Sequence, residues 1–194
     1  MKIIYIVNAR IPTEKAHGIQ IMKMCEAFAN AGNKVELVVP RRLNNLKVDP
    51  FEYYGVEKKF KIKKLPTLDL INFGKIGFLI QSFSFSLFLL IYLVLFRGKR
   101  ILYIRGEVIL PVSLFFRKNI FWETHIRPKN NKRYSSILNR LSGIIVVTSY
   151  YKEWLIKNYN IPENNVLYFP DSVDLEKFDI NLSKDEARKK LDLS

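Results

Sequence analysis

Apolar and polar positions along this chain switch between two rhythms. Ile3-Ile4-Tyr5-Ile6-Val7 is a continuous apolar run rich in β-branched residues and too short for a helix. It reads as a strand buried on both faces, as in a parallel sheet. A polar, turn-prone segment, Asn8 to His17, follows and ends at Gly18. The period then becomes helical: Ile21, Met24, Cys25, Phe28 and Ala29 share one face, and Gln20, Lys23, Glu26 and Asn30 fall on another. Gly32-Asn33 supplies a left-handed stop, and residues 34–39 form a second strand. The unit is βαβ, with a right-handed crossover expected.

The same alternation runs on. Arg41 to Tyr54 is polar and expected to be irregular, with a turn at Asp49-Pro50. Phe60 to Leu65 alternates and stops at Pro66, as an edge-proximal third strand does. Strands are expected at Arg100–Ile104, Asn119–Trp122, Gly143–Val147 and Val166–Phe169. Helices are expected at Val108–Phe116, with Pro111 in its first turn, at Tyr134–Leu141, and from Thr148-Ser149 through Leu155. Ser183-Lys184-Asp185-Glu186 is a capping box that opens one more helix. Alternation without an internal repeat places the chain in the α/β class: a Rossmann-like doubly wound parallel sheet with helices on both faces.

Ile76 to Phe96 breaks the rhythm with 21 residues that carry no charge, flanked by Lys75 and by Arg97, Lys99 and Arg100. The length suffices to span a bilayer. Connectivity points the other way, because a span would put the earlier and later strands on opposite sides of the membrane and leave open sheet edges. Gln81, Ser82, Ser84 and Ser86 also interrupt its first half. The expectation is a crossover helix covering the sheet, its excess apolar surface touching a membrane interface.

Composition narrows the partners. A length of 194 residues suits one domain plus a tail, and 48% hydrophobic content is that of a globular protein. The net charge of +14 concentrates at Arg41–Lys64, Arg97–Arg105 and Arg117–Arg133. Nucleic acid, an anionic membrane surface and phosphorylated substrates are the candidate partners, beside a plain lysine-rich solvated surface. Nucleic acid is the least supported, since there is no zinc knuckle, RNP-like string or helix-turn-helix pattern. The single cysteine, Cys25, lies on the apolar helix face, excludes an internal disulfide and reads as a small buried hydrophobe. A reducing, cytoplasmic location is expected, because the amino-terminal apolar run is five residues long and unlike a signal peptide. No His/Cys/Asp cluster has metal-ligand spacing, and no carboxylate pair can be placed by glycosidase logic.

The Asn8–Gly18 loop falls at the carboxyl edge of the first strand beside a helix N-terminus, where open α/β sheets take ligands and an anion is favoured. A Cβ at Gly18 would obstruct the approach of a phosphate to the backbone. The order of features then resembles the amino-terminal domain of the family 4 glycosyltransferases of GT-B architecture. The matching pieces are His17-Gly18 with Lys23, Glu26 and Ala27 on the next helix, then Ala31-Gly32-Asn33-Lys34-Val35. Tyr103-Ile104-Arg105 at a strand end, Glu123-Thr124-His125 at another, and Ile145 to Ser149 leading to Tyr168–Asp174 and Phe178 complete the match. It covers nearly the whole chain.

The resemblance implies a retaining enzyme that moves a sugar from a nucleotide-sugar donor, bound between two Rossmann-like domains, to an acceptor held mainly by the amino-terminal one. Gly18 matches the glycine facing the donor diphosphate, and His125 the histidine near the reacting sugar. His17, Arg105, Glu107, Glu123 and Arg127 fall on the acceptor side. Having His17-Gly18 where many relatives carry two glycines is a departure from the pattern. The nucleotide-sugar is a substrate; no cofactor and no metal are expected. The acceptor is expected to be a glycan or lipid-linked molecule of polysaccharide synthesis, reached from the cytoplasmic face of the membrane. Residues 1–180 form this domain, and 181–194 the linker and start of a donor-binding domain, without which the chain alone is expected to be inactive. The alternative is a non-catalytic Rossmann-like module that docks on an anionic partner or on a separate donor-domain chain. Each residue also has a plain structural reading: His125 bonded to a backbone carbonyl, Glu123 paired with Arg127 or Lys129, Glu107 favouring a helix start, Gly18 tightening a loop, and His17 simply exposed.

Overall fold

The computed structural model describes residues 1–96, 98–116, 119–125, 132–173 and 181–193. Each apolar run that reads as a strand forms one: β1 (Lys2–Val7), β2 (Lys34–Pro40), β3 (Lys61–Leu65), β4 (Ile101–Arg105), β5 (Ile120–Thr124), β6 (Gly143–Val146) and β7 (Val166–Tyr168). They make a single sheet in the order β3-β2-β1-β4-β5-β6-β7 with every pair parallel. The chain winds outward from β1 to β3, returns past β1, and winds the other way from β4 to β7. The switch in direction falls between β1 and β4, the place where open α/β sheets leave a crevice at their carboxyl ends.

Helices lie on both faces, as the alternation requires. Helices α1 (Ala16–Asn30) and α2 (Pro50–Tyr54) cover one face, where Ile21, Met22, Cys25 and Tyr54 pack on Ile3, Tyr5, Leu37 and Tyr103. The other face carries α3 (Gly74–Leu95), α4 (Lys132–Leu138) and α5 (Ser149–Tyr159), with Phe85, Leu89, Leu138 and Leu155 packed on Ile4, Ile6, Ile104 and Trp122. Successive side chains of a strand point to opposite faces, so the apolar run over residues 3–7 of β1 supplies both cores at once. A final helix, α6 (Lys184–Lys190), begins at the Ser183–Glu186 capping box, with both reciprocal bonds formed.

Three local features differ from the sequence expectation. Helix α1 begins at Ala16, so Gly18 sits inside its first turn and not before it. The segment thought irregular contains α2, whose amino end is capped by the Asp49 carboxylate accepting from the N–H groups of Phe51 and Glu52. Five residues are too few to show a helical period, and the signal was the Asp49-Pro50 cap with its proline in the first turn. The helix expected at Val108–Phe116 is a 3-10 segment, Leu110–Phe115.

Ile71–Leu95 is long and apolar enough to cross a bilayer. It does not divide the sheet, because β3 before it and β4 after it are strands of the same sheet. Phe85, Leu89 and Leu93 are buried against that sheet, each contributing roughly 1.5–3 kcal/mol relative to exposure. The polar residues that interrupt its first half are used inward. Gln81 Nε2 donates to Asn8 Oδ1 (3.0 Å), Asn8 Nδ2 donates to Ser82 Oγ (3.0 Å), and Ser84 Oγ donates to the Gln81 carbonyl (2.9 Å). The two bonds to Asn8 tie α3 to the carboxyl end of β1.

Candidate functional site: a buried ion-pair cluster at the sheet switch point

Strand parity and register assemble the site. Tyr5 of β1 pairs with Tyr103 of β4, and one dyad further toward the carboxyl edge Val7, Arg105 and Glu123 align across β1, β4 and β5. Tyr5, Tyr103, Arg105 and Glu123 therefore point to the α1 face. The Tyr5 and Tyr103 rings stack with centroids 4.8 Å apart, and Phe28 of α1 meets Tyr103 edge-on at 5.4 Å. This aromatic floor carries the polar cluster above it.

Arg105 Nη1 lies 2.9 Å from Glu123 Oε1, with side-chain exposures of 9% and 3%. Glu123 Oε2 accepts from the Tyr5 hydroxyl at 3.1 Å, and Oε1 lies 2.5 Å from His125 Nε2. Arg105 Nη2 donates to Gln20 Oε1, and Gln20 Nε2 donates to Asp171 Oδ1. Asp171 Oδ2 is 3.9 Å from His125 Nδ1, which leaves that ring nitrogen near a carboxylate but outside hydrogen-bond distance. The cluster joins β1, α1, β4, β5 and the segment after β7. Arg105 Nη1 is buried and, beyond the ion pair, has no hydrogen-bond acceptor among the described residues.

Charge states follow from this packing. Burial raises the carboxyl pKa of Glu123, but the bond to His125 and the charge of Arg105 outweigh it, and the net shift is downward. Burial likewise opposes the Arg105 charge, and the Tyr5 and Glu123 oxygens reverse that effect, leaving its pKa raised. Tyr5 and Tyr103 are pushed up, by burial first and by the Glu123 charge second, so both stay protonated. The pair is thus an ionised carboxylate and guanidinium held in a nearly dry setting.

Of the residues singled out from sequence, Arg105, Glu123 and His125 come together. His17, half-buried in the first turn of α1, has its pKa lowered by burial and then by the charges of Arg105 and Lys15. Gly18 is close by in the same turn, but its surroundings are protein. Its N–H donates to the Lys15 carbonyl at 2.9 Å. A Cβ placed there would lie 2.2 Å from the Tyr54 hydroxyl and 2.8 Å from Thr13 Cγ2. That hydroxyl is itself pinned, accepting from Thr13 N at 2.7 Å and donating to Thr13 O at 2.8 Å. Glu107 lies beyond the β4 end, where its carbonyl accepts from Leu110 N; the pKa of Tyr134 on the opposite face is raised by burial first and by the Glu107 charge second. Arg127 lies outside the described residues.

Two members, Gln20 and Asp171, were not singled out. Gln20 follows Gly18 by one half-turn on the helix that leaves β1, and Asp171 follows the end of β7. A rule taking every polar side chain within three residues of a carboxyl strand edge finds Asp171. Gln20 needs the orientation of α1.

The comparisons bear on the fold. No family model matches the sequence, and no curated protein matches it either. In structure the chain is similar to a glycosyltransferase from Rickettsia africae ESF-5, with TM-score 0.62, 12% identity and coverage of 100% of this chain and 50% of that one. It is similar to a trehalose-6-phosphate structure from E. coli bound with UDP-2-fluoro glucose, with TM-score 0.59, 11% identity and coverage of 99% and 54%. It is also similar to the apo form of the lipopolysaccharide outer core galactosyltransferase WaaB, with TM-score 0.52, 17% identity and coverage of 90% and 47%. The chain spans about half the length of these structures. At such identities the likeness is one of fold. The seven-stranded parallel sheet is one Rossmann-like half of a GT-B architecture.

Proposed function

We propose that this chain is the acceptor-side half of a retaining glycosyltransferase of the family 4 type. It would move a sugar from a nucleotide-sugar to a glycan or lipid-linked acceptor on the cytoplasmic side of a membrane. Residues 181–194 would lead into the donor-binding half. The observation that carries the reading is the Arg105–Glu123–His125 cluster at the carboxyl edge, beside the switch between β1 and β4. The likeness to glycosyltransferase structures, one of them an outer core galactosyltransferase, supports it.

In the reaction, the bond from the anomeric carbon to the diphosphate oxygen breaks and the acceptor oxygen takes its place on the same face, its proton passing to the departing diphosphate oxygen. Negative charge grows on the departing diphosphate, and fixed cations stabilise it without reorganising. Arg105 would meet that need through its charge: it is a guanidinium held in place by Glu123 and Gln20 beside the carboxyl edge. His125 Nδ1 is the ring atom placed to meet a sugar hydroxyl, while Glu123 holds Nε2 and so fixes the ring. Asp171 and Glu123 would orient the acceptor side. Gly18 contributes by letting α1 close on Tyr54; a diphosphate contact there would use main-chain groups other than its own N–H. The nucleotide-sugar enters as substrate, and no metal is included.

The test pairs calorimetric titration of nucleotide-sugars with turnover. The chain alone should bind donor weakly, and joining it to a donor-binding half should restore transfer. His125→Ala in the joined protein should lower kcat about 10- to 100-fold, the worth of one hydrogen bond to a charged group. Parental turnover in both His125→Ala and Arg105→Gln would sink the assignment.

A further inference from the structure

Helix α3 carries a second apolar face that the sheet does not cover. Ile76, Leu79, Phe83, Leu87, Ile91 and Leu95 recur at helical spacing on the side opposite Phe85, Leu89 and Leu93. Ile76, Phe83 and Leu95 are more than 70% exposed, and Leu87 and Ile91 nearly half. No charge interrupts the stripe from residue 76 to 96. An uninterrupted exposed stripe of this length marks an interaction surface on a folded domain.

The charges lie at its ends. Lys75 precedes the stripe, and Lys99 and Arg100 follow it. Because α3 returns from the carboxyl end of β3 to the amino end of β4, its last turns reach the amino edge of the sheet. There a cleft of about 200 Å³ opens between Lys2, Lys34, Lys58, Lys59 and Lys61. Helix and cleft share Glu36, which accepts from the Tyr92 hydroxyl of α3 at 2.7 Å and pairs with Lys2 at 3.2 Å. Lys58 and Lys59 are paired with Asp49 and Glu57. Lys34, Lys61, Lys75 and Lys99 make no ion pair among the described residues.

We propose that the α3 stripe and the lysine cleft at its carboxyl end form one docking surface for an anionic lipid bilayer. The helix lies in the plane of the interface with its apolar face in the acyl boundary and the cleft receives headgroup phosphates. An apolar helix face with cations at its borders is the composition that this placement requires. A second copy of the chain is a poorer occupant, since a two-fold contact centred on the stripe would leave the lysine cleft of each copy without the counter-charge that an anionic surface supplies. The stripe also lacks the polar rim that gives a protein interface its direction. The inference rests on α3 and the cleft alone and is independent of the sugar chemistry proposed above.

Co-sedimentation with phosphatidylcholine vesicles, with and without about 30 mol% phosphatidylglycerol, tests it. The chain should pellet with the anionic vesicles at low salt and be released as salt rises. Phe83→Glu with Leu87→Glu, two exposed positions, should lower the partition constant at least about tenfold while the circular dichroism melt stays parental. Lys34→Ala with Lys61→Ala should lower it about 25-fold on anionic vesicles, roughly fivefold per lysine, with no effect on neutral ones. No pelleting with anionic vesicles at low salt would overturn the proposal, as would binding indifferent to both variants. A concentration-dependent dimer in ultracentrifugation that the stripe variant dissolves, without vesicle binding, would assign the face to a second copy instead.

Discussion

Glu123→Gln is the perturbation that asks most of the cluster. The substitution keeps the shape of the side chain and removes one charge. The Tyr5 hydroxyl and His125 Nε2 lose a hydrogen-bond partner, and the Arg105 guanidinium loses its counter-ion. A glutamine has one carbonyl oxygen where the carboxylate had two, so its NH2 group must face at least one of these donors. Arg105, with 9% of its side chain exposed, is then a buried cation whose nearest counter-charge is gone. Removing one partner of a buried pair typically costs 3–5 kcal/mol, and the lower end, about 3 kcal/mol, applies because Gln20 still accepts from Nη2. For a chain of this length that corresponds to a fall in Tm of about 6–12 °C. Thermal melting and urea titration at neutral pH should show this with an unchanged m-value. The double variant Arg105→Gln with Glu123→Gln should lose less than the two single losses added, since the stranded charge is removed with its partner. A Glu123→Gln melt within about 2 °C of the parent, the size of an ordinary surface change, would refute the picture of a dry, mutually dependent pair.

Other outcomes follow from the same geometry. The Glu123 pKa is lower in the folded state than its ordinary value of 4.5, so its stabilisation is complete above that value and is lost as pH falls through the folded pKa. Tm measured from pH 7 to 3 should therefore drop below pH 4.5, and less steeply in Glu123→Gln. Gly18→Ala puts a methyl against the pinned Tyr54 hydroxyl and should destabilise by about 1–3 kcal/mol; Gly18→Ala in a Tyr54→Phe background should recover part of that loss, read from urea midpoints. Cys25 is fully buried on α1, and burial raises its thiol pKa, so an aromatic disulfide reagent should label it only as fast as the chain opens. Labelling at the rate of a free thiol would contradict that burial.

Most strands were readable because a parallel strand buried on both faces leaves a continuous apolar run that stands out from its polar borders, whereas the edge strand β3 was read from alternation ending at a proline. The α3 crossover was readable for a related reason: a spanning helix would have cut the sheet in two, and its buried Gln81 and Ser82 are the residues that tie it to the end of β1. Helix α2 was missed because five residues carry no period. Gly18 was expected to clear room for a ligand, and the room it clears is taken by Tyr54, which arrives from 36 positions away.

From the order of residues alone came the α/β class, the alternation of elements and the placing of Arg105, Glu123 and His125 at strand ends, because hydrophobic period and turn chemistry act over a few neighbours. Which of those ends would touch is a matter of strand order and register. Those set Val7, Arg105 and Glu123 in one row and put Tyr5 beneath the carboxylate. The partners Gln20 and Asp171 lie 151 residues apart in the chain and meet through one hydrogen bond. No local pattern encodes a contact of that separation; it exists because the sheet closes its loops onto a single edge.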